Sequence, residues 1–177
     1  MSASEHKGMI QVYTGDGKGK TTASLGLALR AVGHGRKVIM LQFLKAQDTG
    51  ERVSAQQLAP LLTIIPMGRA GFINPAKPEP EDKRMAKKAL DYAKELIRLK
   101  ACDILILDEV NIAVAFGLIA VEDLLAVMDS RPEEMELVLT GRNAHPKVME
   151  KADLVTEMKN IKHYYDQGVP ERISTER

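Results

Sequence analysis

Thr14-Gly15-Asp16-Gly17-Lys18-Gly19-Lys20-Thr21-Thr22 decides the reading of this chain. Before it runs Met9-Ile10-Gln11-Val12-Tyr13, a short apolar stretch that reads as a strand, and after it residues 23–32 read as a helix. Strand, glycine-rich turn, Lys-Thr and helix are the setting of a phosphate-binding loop. Glycines let the backbone curl until several N–H groups face one anion. The new helix adds its free N–H groups and the positive end of its dipole. Lys20 supplies a point charge, and the Thr21 hydroxyl is placed to ligate Mg²⁺. The common spacing puts a glycine six residues before the lysine. Here that position is Thr14, Gly15 comes one place late, and Lys18 adds a second cation inside the loop. A nucleoside triphosphate is the expected ligand.

The rest of the composition bounds the setting. A chain of 177 residues suits one domain with a sizeable core. We expect a flexible segment over residues 1–8 and a single domain over 9–177. Charged residues make up 28 % and nearly cancel, leaving a net charge of +1. That balance argues against nucleic acid or an anionic membrane as the main partner. The single cysteine, Cys102, excludes an internal disulfide and a cysteine-based zinc cluster, and reads as a small buried residue. No apolar run approaches the roughly 20 residues of a membrane span, and residues 1–8 lack a signal peptide's apolar stretch. The expected location is the cytoplasm.

Along the chain, apolar runs alternate with helical patterns, the mark of an α/β fold with a mostly parallel sheet covered on both faces. In the first helix Leu25, Ala28, Leu29 and Val32 fall on one stripe. Residues 38–44 form a near-continuous apolar run, as in a strand buried on both faces, so residues 13–38 read as one βαβ unit. Residues 45–51 are polar and follow a strand's carboxyl end, where open α/β sheets place ligands. Pro66 makes residues 62–67 an edge strand or marks a strand end. The loop at 68–75 carries Phe72 and Ile73, which either tuck into the core or face a large apolar ligand. Residues 81–100 give the strongest helical pattern. His34 and His163 have no partner at metal-ligand spacing and read as solvated or core histidines.

Ile104-Leu105-Ile106-Leu107-Asp108-Glu109 is the second diagnostic stretch: a buried strand with two carboxylates at its carboxyl end. Beside the glycine loop this is the Walker B arrangement, with Asp108 in the Mg²⁺ shell next to Thr21. Glu109 is either a metal ligand or the residue that orients a water for hydrolysis. Residues 136–140 form another buried strand, followed by Gly141-Arg142-Asn143; Arg142 lies at the loop's end of the sheet and can fork onto phosphate oxygens.

These pieces together resemble the ATP:corrinoid adenosyltransferases of the CobA/CobO/BtuR type. The resemblance rests on residues 12–22, on Arg30-Ala31-Val32-Gly33-His34-Gly35, Gln42-Phe43-Leu44-Lys45 and Gly50-Glu51-Arg52, and on Leu107-Asp108-Glu109, Leu139-Thr140-Gly141-Arg142 and Lys162-His163 with Asp166 and Gly168. The Thr14 departure is itself a trait of that family. The resemblance implies a RecA-like P-loop NTPase fold, usually a homodimer. It implies transfer of the 5′-deoxyadenosyl group of ATP to the Co(I) of a reduced corrinoid, with triphosphate released and a reduced flavoprotein as electron donor. It implies ATP bound in reversed sense over Thr14, Gly15, Asp16, Gly17, Lys18, Gly19, Lys20, Thr21 and Thr22, so that C5′ points toward the corrinoid. Lys20, Arg142 and Glu109 would act on the leaving triphosphate, with Mg²⁺ (or Mn²⁺) on Thr21, Glu109 and Asp108. Phe72 matches an aromatic that packs on the corrinoid, while Asn74 stands where many members carry Trp. The N-terminal segment would fold over the bound corrinoid.

Three other readings stay open on the residues alone. A RecA-like ATPase would use Glu109 to activate water and release ADP and phosphate. A small P-loop kinase would need an arginine-rich lid, which the sequence lacks. A carrier would bind both ligands without turnover.

Overall fold

In the computed structural model, the described residues are 7–46, 49–69, 73–74, 77–170, 172–173 and 175. Strand β1 (Ile10–Thr14) leads through the glycine turn into helix α1 (Lys20–Gly33), followed by β2 (Val38–Gln42), α2 (Gly50–Gln57) and β3 (Leu62–Pro66). Helix α3 (Pro80–Arg98) precedes β4 (Ile104–Asp108), α4 (Val110–Ala115), α5 (Val121–Ser130) and β5 (Glu136–Thr140). Helix α6 (Pro146–Lys151), strand β6 (Leu154–Glu157) and a 3-10 turn (Tyr164–Gln167) complete the chain.

The strands form one parallel sheet in the order β3-β2-β4-β5-β1-β6. The period of two along each strand divides two apolar layers. Ile39, Leu41, Leu105, Leu107, Leu137 and Leu139 face α3, α4, α5 and α6. Val38, Met40, Ile104, Ile106 and Val138 face the thinner layer of α1 and α2. Each fully buried Leu or Ile contributes roughly 1.5–3 kcal/mol. The expected α/β fold, with helices on both faces, is the one observed, and the Pro66 strand is indeed at an edge.

The expected βαβ unit of β1, α1 and β2 is present, with β5 and β4 lying between its two parallel strands, so the crossover through α1 spans two strands. Sequence shows which segments are strands but not which of them a later strand will separate. Leu29 is 60 % exposed rather than on the packed stripe. Helix α1 instead turns Ser24 and Ala28 onto the sheet, with Leu25, Leu27, Ala31 and Val32 partly covered. Small side chains there let the helix lie close, which holds its first turn over the strand ends.

Helix α3 shows why a strong pattern is easily read. Ala86, Ala89, Leu90, Ala93, Leu96 and Ile97 bury one face. Pro80 opens the first turn, and Glu79 and Asp82 form a reciprocal capping box. Asp82 also accepts from Arg69, whose guanidinium, ahead of an opposing burial cost, holds its carboxyl below the usual range. This pair fixes the point where residues 68–69 leave β3.

Candidate functional site

Four strands end in a polar residue at the same edge: Thr14 on β1, Thr140 on β5, Asp108 on β4 and Gln42 on β2. All four are buried. Spatial order makes them one polar row at the carboxyl end of the sheet, where parallel sheets place ligands. Above the row lies a cavity of about 660 Å³, walled by the loop, by Lys45 and Glu51, by Glu109 and Arg142, and by His163.

The loop is shaped by its glycines and by a strand far away in sequence. Gly15 (φ 93°) and Gly19 (φ 120°) adopt the left-handed region that favours glycine. A Cβ on Gly15 would run into the Met158 carbonyl, and one on Gly17 into the Lys159 backbone. The Gly17 N–H donates to Met158 O at 2.7 Å, and Met158 N–H donates to Thr14 O at 2.8 Å. The residues that follow β6 thus hold one side of the loop. Helix α1 begins with no side-chain cap at Gly19, so its first-turn N–H groups stay available to an anion.

Lys20 is buried and folds back on its own loop, donating to Gly15 O and Gly17 O at 2.7 Å each. Burial, helped by Arg142, pulls its ammonium pKa down against the pull of Glu109, Asp16 and Asp108. Lys18 reaches Thr175 O at 3.2 Å. Thr21 donates from Oγ1 to Asp108 Oδ1 at 2.9 Å. Asp16, Gly17, Lys18, Gly19, Lys20, Thr21 and Thr22 line the cavity. Thr14 serves differently: its hydroxyl accepts the Ala144 N–H at 3.1 Å, tying the loop after β5 to β1.

The acidic side is assembled across strands. The wholly buried Asp108 carboxylate accepts from Thr21 and, at 2.7 Å, from Thr140 on Oδ1, and from Lys45 at 3.3 Å on Oδ2. Burial opposes charge on Lys45, but Asp108, Glu51 and Glu109 more than offset it and raise its pKa. Glu109 takes a left-handed backbone (φ 63°) at the start of α4, strained for a residue with a Cβ, and Thr140 Oγ1 accepts its N–H at 3.0 Å. The Glu109 carboxylate has no hydrogen-bond or ion-pair partner among the described residues. Burial first, and Asp108 second, push its pKa up, against the cations Lys45, Lys20 and Arg142. Arg142 projects from a turn between Gly141 (φ 128°) and Asn143 (φ 55°), and lines the same cavity.

Lys20, Thr21, Glu109 and Arg142 therefore meet at one cavity, with Asp108 beneath its floor. Phe72 lies outside the described residues. Its loop leaves from Gly68, whose N–H donates to Lys45 O at 3.1 Å and whose missing Cβ lets it press on the Leu44 backbone. Four residues that spacing left without a role also belong to the site. Lys45 and Glu51 face each other at 4.0 Å. Thr140 pins both carboxylates' neighbourhoods. His163 lies on the cavity wall rather than in the core, its Nδ1 accepting the Tyr165 N–H. A polar residue ending each apolar run was the available signal for Thr140; His163 was marked only by the Lys162-His163 match, with no chemistry attached to it.

The donors at the acidic side are hard oxygens, Thr21 Oγ1 and the Glu109 carboxylate, over Asp108. Among the described residues no three His, Cys, Asp or Glu side chains gather into a metal cluster. One or two protein oxygens completed by phosphate oxygens is the way Mg²⁺ is commonly held, so the residues fit that ion arriving with a nucleotide.

The chain is similar to known proteins over nearly its whole length. Residues 6–176 match the family ATP:corrinoid adenosyltransferase BtuR/CobO/CobP. A corrinoid adenosyltransferase of Escherichia coli K12 is 35 % identical over 97 % of this chain and 86 % of its own length. One from a Sinorhizobium species is 39 % identical over 93 % and 78 % respectively. The flagellar accessory protein FlaH of Methanocaldococcus jannaschii shares the fold at 14 % identity, with a TM-score of 0.59 over 88 % of this chain and 73 % of that one. A KaiC-like protein of Pyrococcus horikoshii gives 0.57 over 88 % and 78 %. The fold is thus RecA-like, and the chain belongs to the ATP:corrinoid adenosyltransferases, a family of enzymes.

Proposed function

We propose that this enzyme moves the 5′-deoxyadenosyl group of ATP onto the Co(I) of a reduced corrinoid and releases triphosphate. The observation that carries the reading is the convergence of Lys20, Arg142 and the Glu109 carboxylate, unpartnered among the described residues, on the cavity over the glycine loop. Co(I) is itself a strong nucleophile, so the protein needs no general base. It must hold C5′ near cobalt while the C5′–O bond breaks, and stabilise the charge that collects on the leaving triphosphate.

Each residue takes a part in that. The open amides of the loop and of the first turn of α1 bind phosphate oxygens. Lys20 exchanges its two carbonyl partners for phosphate, and Arg142 grips from the opposite wall. Lys18 adds charge at the rim. Mg²⁺ or Mn²⁺, held by Thr21 and Glu109 beside Asp108, would supply further neutralisation of the triphosphate. Glu109 is then a metal ligand rather than a base for water. ATP lies in reversed sense, with C5′ outward, and Phe72 and residues 1–8 contribute to the corrinoid side. On the same reading the enzyme works in the cytoplasm as a homodimer, with a reduced flavoprotein supplying the electron that makes Co(I).

The test is an anaerobic assay with Mg-ATP and chemically reduced cobalamin. Loss of the Co(I) absorption, a light-sensitive alkylcobalt product and one triphosphate per turnover are expected. ADP and phosphate with Co(I) untouched would overturn the reading in favour of hydrolysis with Glu109 activating water.

A further inference from the structure

We propose that Lys45 is a resident counter-cation on Asp108, which a divalent metal must displace, so that the site takes up metal only together with a nucleotide. The inference rests on the metal-ATP reading above and concerns a residue to which that reading gives no part.

The two oxygens of Asp108 are in different hands. Oδ1 accepts from Thr21 and Thr140, and Oδ2 accepts from Lys45 Nζ at 3.3 Å. The carboxylate is wholly buried, and the Lys45 side chain is 31 % exposed, on the cavity wall. Thr21, the hydroxyl placed to meet a metal, therefore shares its carboxylate with an ammonium group. A divalent ion beside Thr21 would face that ammonium across one carboxylate, and in a half-buried setting the two cations repel strongly. An ion arriving alone must drive Lys45 away with no anion to balance the added charge.

A second seat for Lys45 is already built. Glu51 Oε1 lies 4.0 Å from Nζ, and Gln42 Nε2 donates to the same oxygen at 3.1 Å, which steadies it. Gln42 ends β2 and is buried, while Glu51 opens α2. Lys45 thus stands between two carboxylates on separate elements, bonded to one and in reach of the other. When the metal comes with a triphosphate, Lys45 turns from Asp108 toward Glu51 and the phosphate oxygens, and the anion balances both cations. Metal without nucleotide has no such compensation.

Binding of Mn²⁺ alone, followed by electron paramagnetic resonance of the free ion, separates this from a merely structural lysine. Lys45→Met is expected to bind Mn²⁺ without ATP at least tenfold more tightly than the unaltered chain. Lys45→Arg, which keeps the charge, is expected to stay within threefold of it. If Lys45→Met does not fold, Lys45→Gln retains a donor to Asp108 without the charge and is expected to show the same gain. Unchanged or weaker Mn²⁺ binding by the uncharged variant overturns the proposal. If the unaltered chain binds no Mn²⁺ even with ATP, the metal-ATP reading falls and this inference falls with it. If it binds Mn-ATP and the uncharged variant gains nothing for Mn²⁺ alone, only the role of Lys45 is lost.

Discussion

The two ends of the sheet treat their carboxylates in opposite ways. At the amino end, Glu136 accepts the Met9 N–H at 2.8 Å and the Gln11 amide at 2.5 Å, and Asp103 accepts the Lys37 N–H at 2.7 Å and pairs with Arg36. Asp153 likewise accepts the Ile10 N–H at 2.8 Å. Each closes a backbone donor at the start of a strand. At the carboxyl end, Asp108 is held by side chains from three other elements and Glu109 by none among the described residues. Left-handed backbone occurs at both ends, at Gly35 and Lys100 ahead of β2 and β4 and at Gly15, Gly19, Glu109, Gly141 and Asn143 near the cavity. One end spends its charges on holding strands in place; the other keeps charge in reserve for a ligand.

The largest expected effects should divide along that line. Lys20→Ala and Glu109→Ala are each expected to lower adenosyl transfer on the order of 10²–10³-fold, the usual loss for a group facing developing charge; melting temperature is expected to change little in Glu109→Ala, while Lys20→Ala also gives up two bonds to loop carbonyls. Glu136→Ala is expected to do the reverse. It loses two part-buried bonds, costing about 2–3 kcal/mol of stability, while transfer per folded molecule is retained. Unfolding curves and transfer rates on the same preparations check all three. A Glu136 variant that is stable but inactive would break the contrast.

Thr140→Val should fall between these extremes. It removes the donor to Asp108 and the acceptor of the Glu109 N–H, so about 1–3 kcal/mol of stability and roughly tenfold of transfer rate are expected to go together. Loss of one without the other would show that the strained Glu109 backbone is not held by this hydroxyl.

The smallest effect on transfer lies just ahead of β4. Burial pushes the Cys102 thiol up to about 12. An acid whose pKa is raised in the fold stabilises it below the unfolded value and loses that contribution as pH rises toward the folded one. Between pH 9 and 12, then, stability should fall by up to about 1.4 kcal/mol per unit more steeply than in Cys102→Ala, measured by chemical unfolding. Identical slopes would mean the thiol is free to ionise in the fold. The prediction sharpens the contrast, since it places a titrating group at the amino end whose role is burial alone.

What the sequence made legible follows the same division. The loop at residues 14–22 is a local device: its glycines, lysines and following helix stand in one run, so its chemistry can be read directly. Asp108 and Glu109 could be read because a buried strand ends on them. The Lys45–Asp108–Thr140 cluster could not, because it depends on β5 lying between β1 and β4 and on β2 lying beside β4, and strand order is a tertiary outcome. The exposed Leu29 has a related cause. Period alone placed it on a stripe, while close packing selected Ser24 and Ala28 for the sheet. His163 joins the cavity through a tail with no periodic pattern to extrapolate.

The bond from Gly17 to Met158 has a further consequence, for the order in which the molecule is made. The loop leaves a ribosome well before the residues that latch it, which follow β6. Contacts between distant parts of a chain form slowly and late. The anion cradle therefore reaches its final shape only when β6 has docked on β1, after most of the sheet is in place. A nascent chain carries the full loop sequence long before it has a loop that can grip a nucleotide.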